Sequence, residues 1–212
     1  MGIQKNRLLL MTAIAAWLIG VAGGLGLLWN YSNAPGVAGV PPSKWPADSH
    51  IQRPTDRATL VMVVHPHCPC TRASMGELAR LMAQTEGRVN AYVLFSKPSN
   101  FTNDSEQTDL WAMAVGIPGV TAMRDDDLAE ARRFLAATSG QTMLYDKDGN
   151  LQFSGGITAG RGHEGDNHGR SAIVSILTAN ETDRRQTPVF GCELFAQDDC
   201  PVGKEVSHAT HN

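Results

Sequence analysis

Two cysteines and two histidines fall within the short run His65-Pro66-His67-Cys68-Pro69-Cys70, directly behind the apolar stretch Val61-Met62-Val63-Val64. A cysteine attacks disulfides or binds metal as the thiolate, and a neighbouring imidazole can take its proton or share the metal. An apolar run that stops abruptly at such a box is how a buried strand delivers chemistry to its tip. Behind the box, Met75, Leu78, Leu81 and Met82 recur at three- and four-residue spacings with Arg72, Glu77, Arg80 and Gln84 between them, the pattern of an amphipathic helix. Pro69 suits the first helical position, which predicts Cys68 as the N-cap and Cys70 as the second helical residue. Both sulfurs would then face the positive end of the helix dipole, which favours thiolate.

Three chemistries are open to this box. In the first, Cys68 attacks a partner disulfide and Cys70 or Cys192 resolves the mixed disulfide, with Thr71 and His67 as supporting residues and no cofactor required. In the second, Cys68 and Cys70 hold copper or zinc together with His65 or His67, or with His163 and His168. The latter two lie in the glycine-dense segment Gly155 to Arg170, whose composition requires the backbone to turn sharply or approach something closely. That segment is expected to lie against the cysteine box, bringing His163 or His168 near Cys68. In the third, the bridges Cys68–Cys70 and Cys192–Cys200 are inert staples of an interaction module. No C-x-x-C-H occurs, which excludes attachment of a c-type haem.

Positioning these groups requires a folded domain and, for the disulfide readings, an oxidising compartment. Lys5 and Arg7 precede Leu8 to Trp29, an uncharged run of 22 residues that can cross a bilayer at about 1.5 Å per residue. The run is longer than the core of a secretory signal, although Ala34 to Ala38 offers small residues where a leader could be cut. The positive flank puts the N-terminus in the cytoplasm and all that follows Trp29 outside it, giving a single-pass inner-membrane protein. The net charge of −3, with Lys and Arg scattered, argues against a nucleic-acid partner. Expected partners are protein thiols or disulfides outside the cytoplasm.

The chain therefore divides into a cytoplasmic N-terminus (1–7), an anchor (8–29), a proline-rich extended tether (30–56), one domain (57–180) and an irregular tail (181–212) that carries Cys192, Cys200, His208 and His211. Within the domain, Ala58 to Val64 and Val89 to Phe95 read as parallel strands joined by a helix over 69–86. A helix capped by Asp104 or Ser105 runs to Gly116, and a short strand follows over 119–123. Asp125, Asp126 and Asp127 load the start of a further helix. Asp148-Gly149 turns a hairpin between 141–145 and 150–153, and a last helix covers 171–179.

This succession, with a Tyr-Asp-x-Asp-Gly turn at 145–149, resembles the thioredoxin superfamily, particularly its membrane-anchored periplasmic branch. The resemblance implies an α/β thioredoxin-like fold, a central mixed sheet flanked by helices. The His-x-His-Cys-Pro-Cys box at 65–70, Ser154 to Thr158 and Arg161 to His163 look most like RedB-type members. Arg72, Met75, Glu77 and Leu78 align with the family pattern when Cys68 is the attacking cysteine. The family's second cysteine then falls on Thr71, and Cys70 lies one residue early, making a C-x-C pair whose disulfide should be strained. Where the family has a cis-proline, this chain has Ser139-Gly140-Gln141.

Overall fold

The computed structural model describes residues 2–98, 108–179 and 181–195, and the chain forms two units, Met1–Ala34 and Pro35–Asn212. The first unit is one helix, α1 (Gly2–Asn33). Its segment from Gln4 to Asn33 is long and apolar enough to cross a membrane, with mean hydropathy 2.1.

In the second unit the elements run β1 (Ala58–Val64), α2 (Thr71–Gln84), β2 (Val89–Lys97), α3 (Asp109–Val115), β3 (Val120–Asp126), α4 (Ala129–Arg133), β4 (Gln141–Tyr145), β5 (Leu151–Gly155) and α5 (His168–Ala179). The sheet order is β3-β2-β1-β4-β5. β1 is parallel to β2 and antiparallel to β4, β2 is parallel to β3, and β4 is antiparallel to β5. A β1-α2-β2 unit followed by the β4-β5 hairpin and α5 is a thioredoxin-like fold, to which β3 adds a parallel edge strand.

β1 is apolar from Leu60 to Val64 because it is the middle strand and both its faces are covered. Leu60, Met62 and Val64 belong to one core cluster with Met75, Leu78 and Leu81 of α2, Leu110 of α3 and Ile173 of α5. Val61 and Val63 belong to another with Phe134, Met143, Tyr145, Leu194 and Phe195. Each fully buried side chain of this size contributes about 1.5–3 kcal/mol, so β1 is held from both sides and its C-terminal tip is a fixed point.

Two expectations need correction. The three aspartates do not open a helix: Asp125 and Asp126 end β3, and Asp127 and Leu128 turn with positive φ before α4. Asp125 nevertheless caps that helix, its carboxylate accepting the N–H groups of Glu130 (2.8 Å) and Ala131 (2.9 Å). Helix α5 begins at His168, three residues ahead of the expected Ser171. The cap at Asp104 or Ser105 lies outside the described residues, and α3 is preceded by Thr108 as its N-cap.

The proline-rich segment is extended but is not a free tether. Gln141 closes two hydrogen bonds with the backbone of Gly39, the Tyr145 hydroxyl donates to the Pro42 carbonyl (3.1 Å), and Trp45 stands edge-on to Phe134 and Tyr145. Prolines fix φ and carry no N–H, so an extended chain can lie on the domain with few donors to satisfy. The tail is also docked as far as it is described. Val189, Leu194 and Phe195 are buried, and the Leu194 N–H donates to the Ala137 carbonyl (3.0 Å). These apolar residues follow no period, which is why the sequence pattern gave no element there.

Candidate redox site

The cysteine box lies at the tip of β1, but the helix behind it starts later than expected. α2 begins at Thr71 with Cys70 as its N-cap, in helical φ and ψ. Cys68 lies in the turn before it, donating its N–H to the His65 carbonyl (3.1 Å) and accepting from the Thr71 N–H (3.0 Å). These short-range bonds close a tight turn around Pro69, and the first helical bond runs from the Ser74 N–H to the Cys70 carbonyl (3.4 Å). Cys68 is 1% exposed and Cys70 7%. Cys68 is thus not the N-cap, and the donors near its sulfur are individually placed rather than supplied by a helix start.

Burial alone would push the Cys68 thiol up. It is outweighed by hydrogen bonds to the sulfur from the Cys192 thiol, the Cys192 N–H, the Thr71 hydroxyl and the Cys70 N–H, so the net shift is downward. Burial, and then the charge and hydrogen bond of Cys68, push Cys70 up, with Arg161 opposing. Burial and the same neighbour push Cys192 up to about 12, again against Arg161. Among three neighbouring thiols, one is therefore singled out to ionise.

Ser139 lies two residues before β4. Its hydroxyl accepts the His65 N–H (2.9 Å) and pairs with the Thr71 hydroxyl (3.0 Å). The Thr71 hydroxyl also faces the His65 carbonyl (3.5 Å), so it is shared among Ser139, His65 and Cys68. The Ser139 N–H donates to the Cys192 carbonyl (2.8 Å), tying the tail to the same point. The tail approaches so closely that a Cβ at Gly191 would stand 1.9 Å from the Ser139 carbonyl oxygen, and only glycine fits.

From the glycine-dense loop it is Arg161, rather than an imidazole, that reaches the cysteines. It hydrogen-bonds the Cys70 thiol and donates to the Gly191 carbonyl (2.6 Å). His163 is exposed, its Nδ1 paired with the Arg161 carbonyl (2.9 Å), and His168 is exposed at the start of α5. Neither imidazole hydrogen-bonds a cysteine among the described residues. The loop is fixed by Glu77, which the sequence pattern set among the polar residues of α2 and which is fully buried. Its carboxylate accepts from Arg170 (2.6 Å), Arg80 (2.6 Å), Asn167 (3.0 Å) and the Gly165 N–H (2.8 Å). The Glu77 and Arg80 pair on one helix face was the local signal, and nothing local pairs Glu77 with Arg170 or Asn167.

The metal reading finds little to stand on. The His65 Nδ1 is taken by the His67 N–H (3.2 Å), and burial followed by the nearby His67 holds the His65 imidazole below its ordinary range. His67 is exposed. No three His, Cys, Asp or Glu side chains among the described residues form a group that could hold an ion. Of the expected bridges, Cys68 and Cys70 are free thiols. The pair Cys192–Cys200 lies half outside the described residues, and the described neighbour of Cys192 is Cys68.

No family model and no curated protein matches the chain. Solved structures do. An uncharacterized conserved protein from Geobacillus kaustophilus aligns at 22% identity and TM-score 0.55, over 78% of this chain and 93% of that one. A hypothetical protein from Sinorhizobium meliloti 1021 aligns at 20% identity and TM-score 0.55, over 77% and 96%. A secreted Mycobacterium tuberculosis disulfide oxidoreductase aligns more loosely, at 12% identity and TM-score 0.39 over 58% and 81%, too distant to bear on function. At these identities the likeness concerns the fold alone.

Replacing Glu77 by Ala should cost about 3–5 kcal/mol in urea unfolding, because the buried Arg170 loses its buried carboxylate and keeps only the exposed Asp166. A loss below about 1 kcal/mol would show that the network behaves as an exposed ion pair and does not hold the loop.

Proposed function

We propose that this chain is a thiol-disulfide oxidoreductase in which Cys68 is the attacking thiolate. The observation that carries the reading is the set of donors around the Cys68 sulfur, from Cys70, Thr71 and Cys192, at the rigid tip of the central strand. Those donors stabilise charge on one sulfur in a buried place where an unaided thiol would stay protonated. The thiolate attacks one sulfur of a partner disulfide, a new S–S bond forms on Cys68, and the other partner sulfur leaves as a thiol after taking a proton. A second thiol of this chain then attacks the Cys68 sulfur, which frees the partner fully reduced and leaves an internal disulfide. A dithiol donor returns the protein to its starting state.

The compartment and the finer kinship belong to the same proposal. The apolar helix with Lys5 and Arg7 on its N-terminal side supports a single-pass anchor in the inner membrane, with the domain on the periplasmic side and protein thiols or disulfides as partners. The box at 65–70 and the Arg161-Gly162-His163 segment support placement with RedB-type proteins.

The reduced full chain should speed exchange between a dithiol and a protein disulfide, and Cys68→Ser should abolish the acceleration. Equal rates for the two proteins would end the oxidoreductase reading. Protease added to intact spheroplasts should remove the domain. Digestion seen only after lysis would reverse the assigned orientation.

A further inference from the structure

We propose that Cys192, carried by the docked tail, is the thiol that resolves mixed disulfides on Cys68, so that the redox couple is Cys68–Cys192 and not the adjacent C-x-C pair. The inference rests on Cys68 as the attacking thiol. Cys192 meets Cys68 twice, through its thiol and through its N–H. Its position is independently fixed by the backbone: Ser139 N–H to Cys192 carbonyl, Leu194 N–H to Ala137 carbonyl, the isolated bridge between Thr138 and Glu193, and Arg161 on the Gly191 carbonyl. Bonds on both sides of Cys192 thus hold it against Ser139, the residue that also orders Thr71 and the box.

Cys70 is the poorer resolver for a geometric reason. A bridge to Cys68 would close a ring across one residue, and that residue is Pro69, whose φ cannot relax. Closing it works against the turn that Thr71 N–H makes with the Cys68 carbonyl and against the first bond of α2. Disulfide geometry is specific, with Cβ atoms about 3.5–4.5 Å apart, and a proline-locked turn has little freedom to reach it. Cys192 comes from a separate segment and approaches without that constraint.

The electron count closes. Cys68 attacks the probe disulfide and releases one thiol, then Cys192 loses its proton, attacks the Cys68 sulfur and releases the second. Two electrons pass from the two cysteines to the probe, leaving Cys68–Cys192. Once Cys68 is in a mixed disulfide its negative charge is gone, and with it one of the influences that keep the Cys192 thiol protonated, while Arg161 remains. The attacking step therefore prepares the resolving one.

The test treats the reduced full chain in detergent with one equivalent of 5,5′-dithiobis(2-nitrobenzoic acid), with Cys200→Ser throughout so that this thiol cannot intervene. The parent should release two equivalents of thionitrobenzoate and yield a peptide pair bridged between Cys68 and Cys192. Cys192→Ser should stop at one equivalent with the adduct mapped to Cys68, whereas Cys70→Ser should still release two. If Cys70→Ser traps the adduct on Cys68 and Cys192→Ser releases two equivalents, Cys70 is the resolver, and this inference fails while the proposed function stands. An adduct on Cys192 formed as fast in Cys68→Ser as on Cys68 in Cys192→Ser would reverse the roles. If the probe reacts with no cysteine faster than with a free thiol of unperturbed pKa, the oxidoreductase reading itself fails.

Discussion

A negative charge on a sulfur that is 1% exposed can persist only if it is hydrogen-bonded, and at Cys68 the bonds come from two distant parts of the chain. Cys70 and Thr71 belong to the box and its helix. Cys192 arrives from the tail. The third party, Ser139, joins the two, through its hydroxyl to Thr71 and its N–H to the Cys192 carbonyl. The rest of the domain can be understood as what keeps these segments in register: the sandwiched β1 holds the box, the β1–β4 pairing holds Ser139 opposite it, and the buried Glu77 holds the loop whose Arg161 meets the tail.

Polar groups buried together in this way carry a risk, since each unsatisfied one costs about 1–3 kcal/mol. The site meets it by sharing. Ser139 accepts from His65 and pairs with Thr71, whose hydroxyl is shared with the His65 carbonyl and Cys68. Glu77 accepts from four donors and so leaves no lone pair idle. Arg161 bonds the Gly191 carbonyl and the Cys70 thiol together, which links the glycine-dense loop to both cysteine-bearing segments.

Much of this was legible from the sequence where local pattern decides the structure. The strand Ala58 to Val64 reads directly from its apolar run Leu60 to Val64, and the hairpin from Asp148-Gly149, because burial on both faces and turn chemistry are local facts. The helix start was placed two residues early because Pro69 fits a first helical turn and a tight turn equally well. Asp125 was set at a helix start and instead caps that helix from the end of β3, the same chemistry delivered from a different backbone. The pairings Glu77 with Arg170, Gln141 with Gly39 and Cys68 with Cys192 were beyond reach, since they are made by chain segments that meet only in the folded state. The loop's histidines suit metal ligands by type, yet the arginine two residues before His163 is what reaches the thiols.

The central claim is that Cys68 alone is held as a thiolate by those donors, and titrating the Cys68 Cβ resonance in reduced protein carrying labelled cysteine tests it most directly. The account predicts a midpoint below the ordinary thiol value of about 8.5, raised in Thr71→Val, which removes one donor while keeping the shape. Because the folded form ionises more readily than the unfolded chain, the associated stability is fully present above the unfolded pKa and is lost as the pH falls through the folded one. A Cys68 midpoint at or above about 8.5, unmoved by Thr71→Val, would contradict the account.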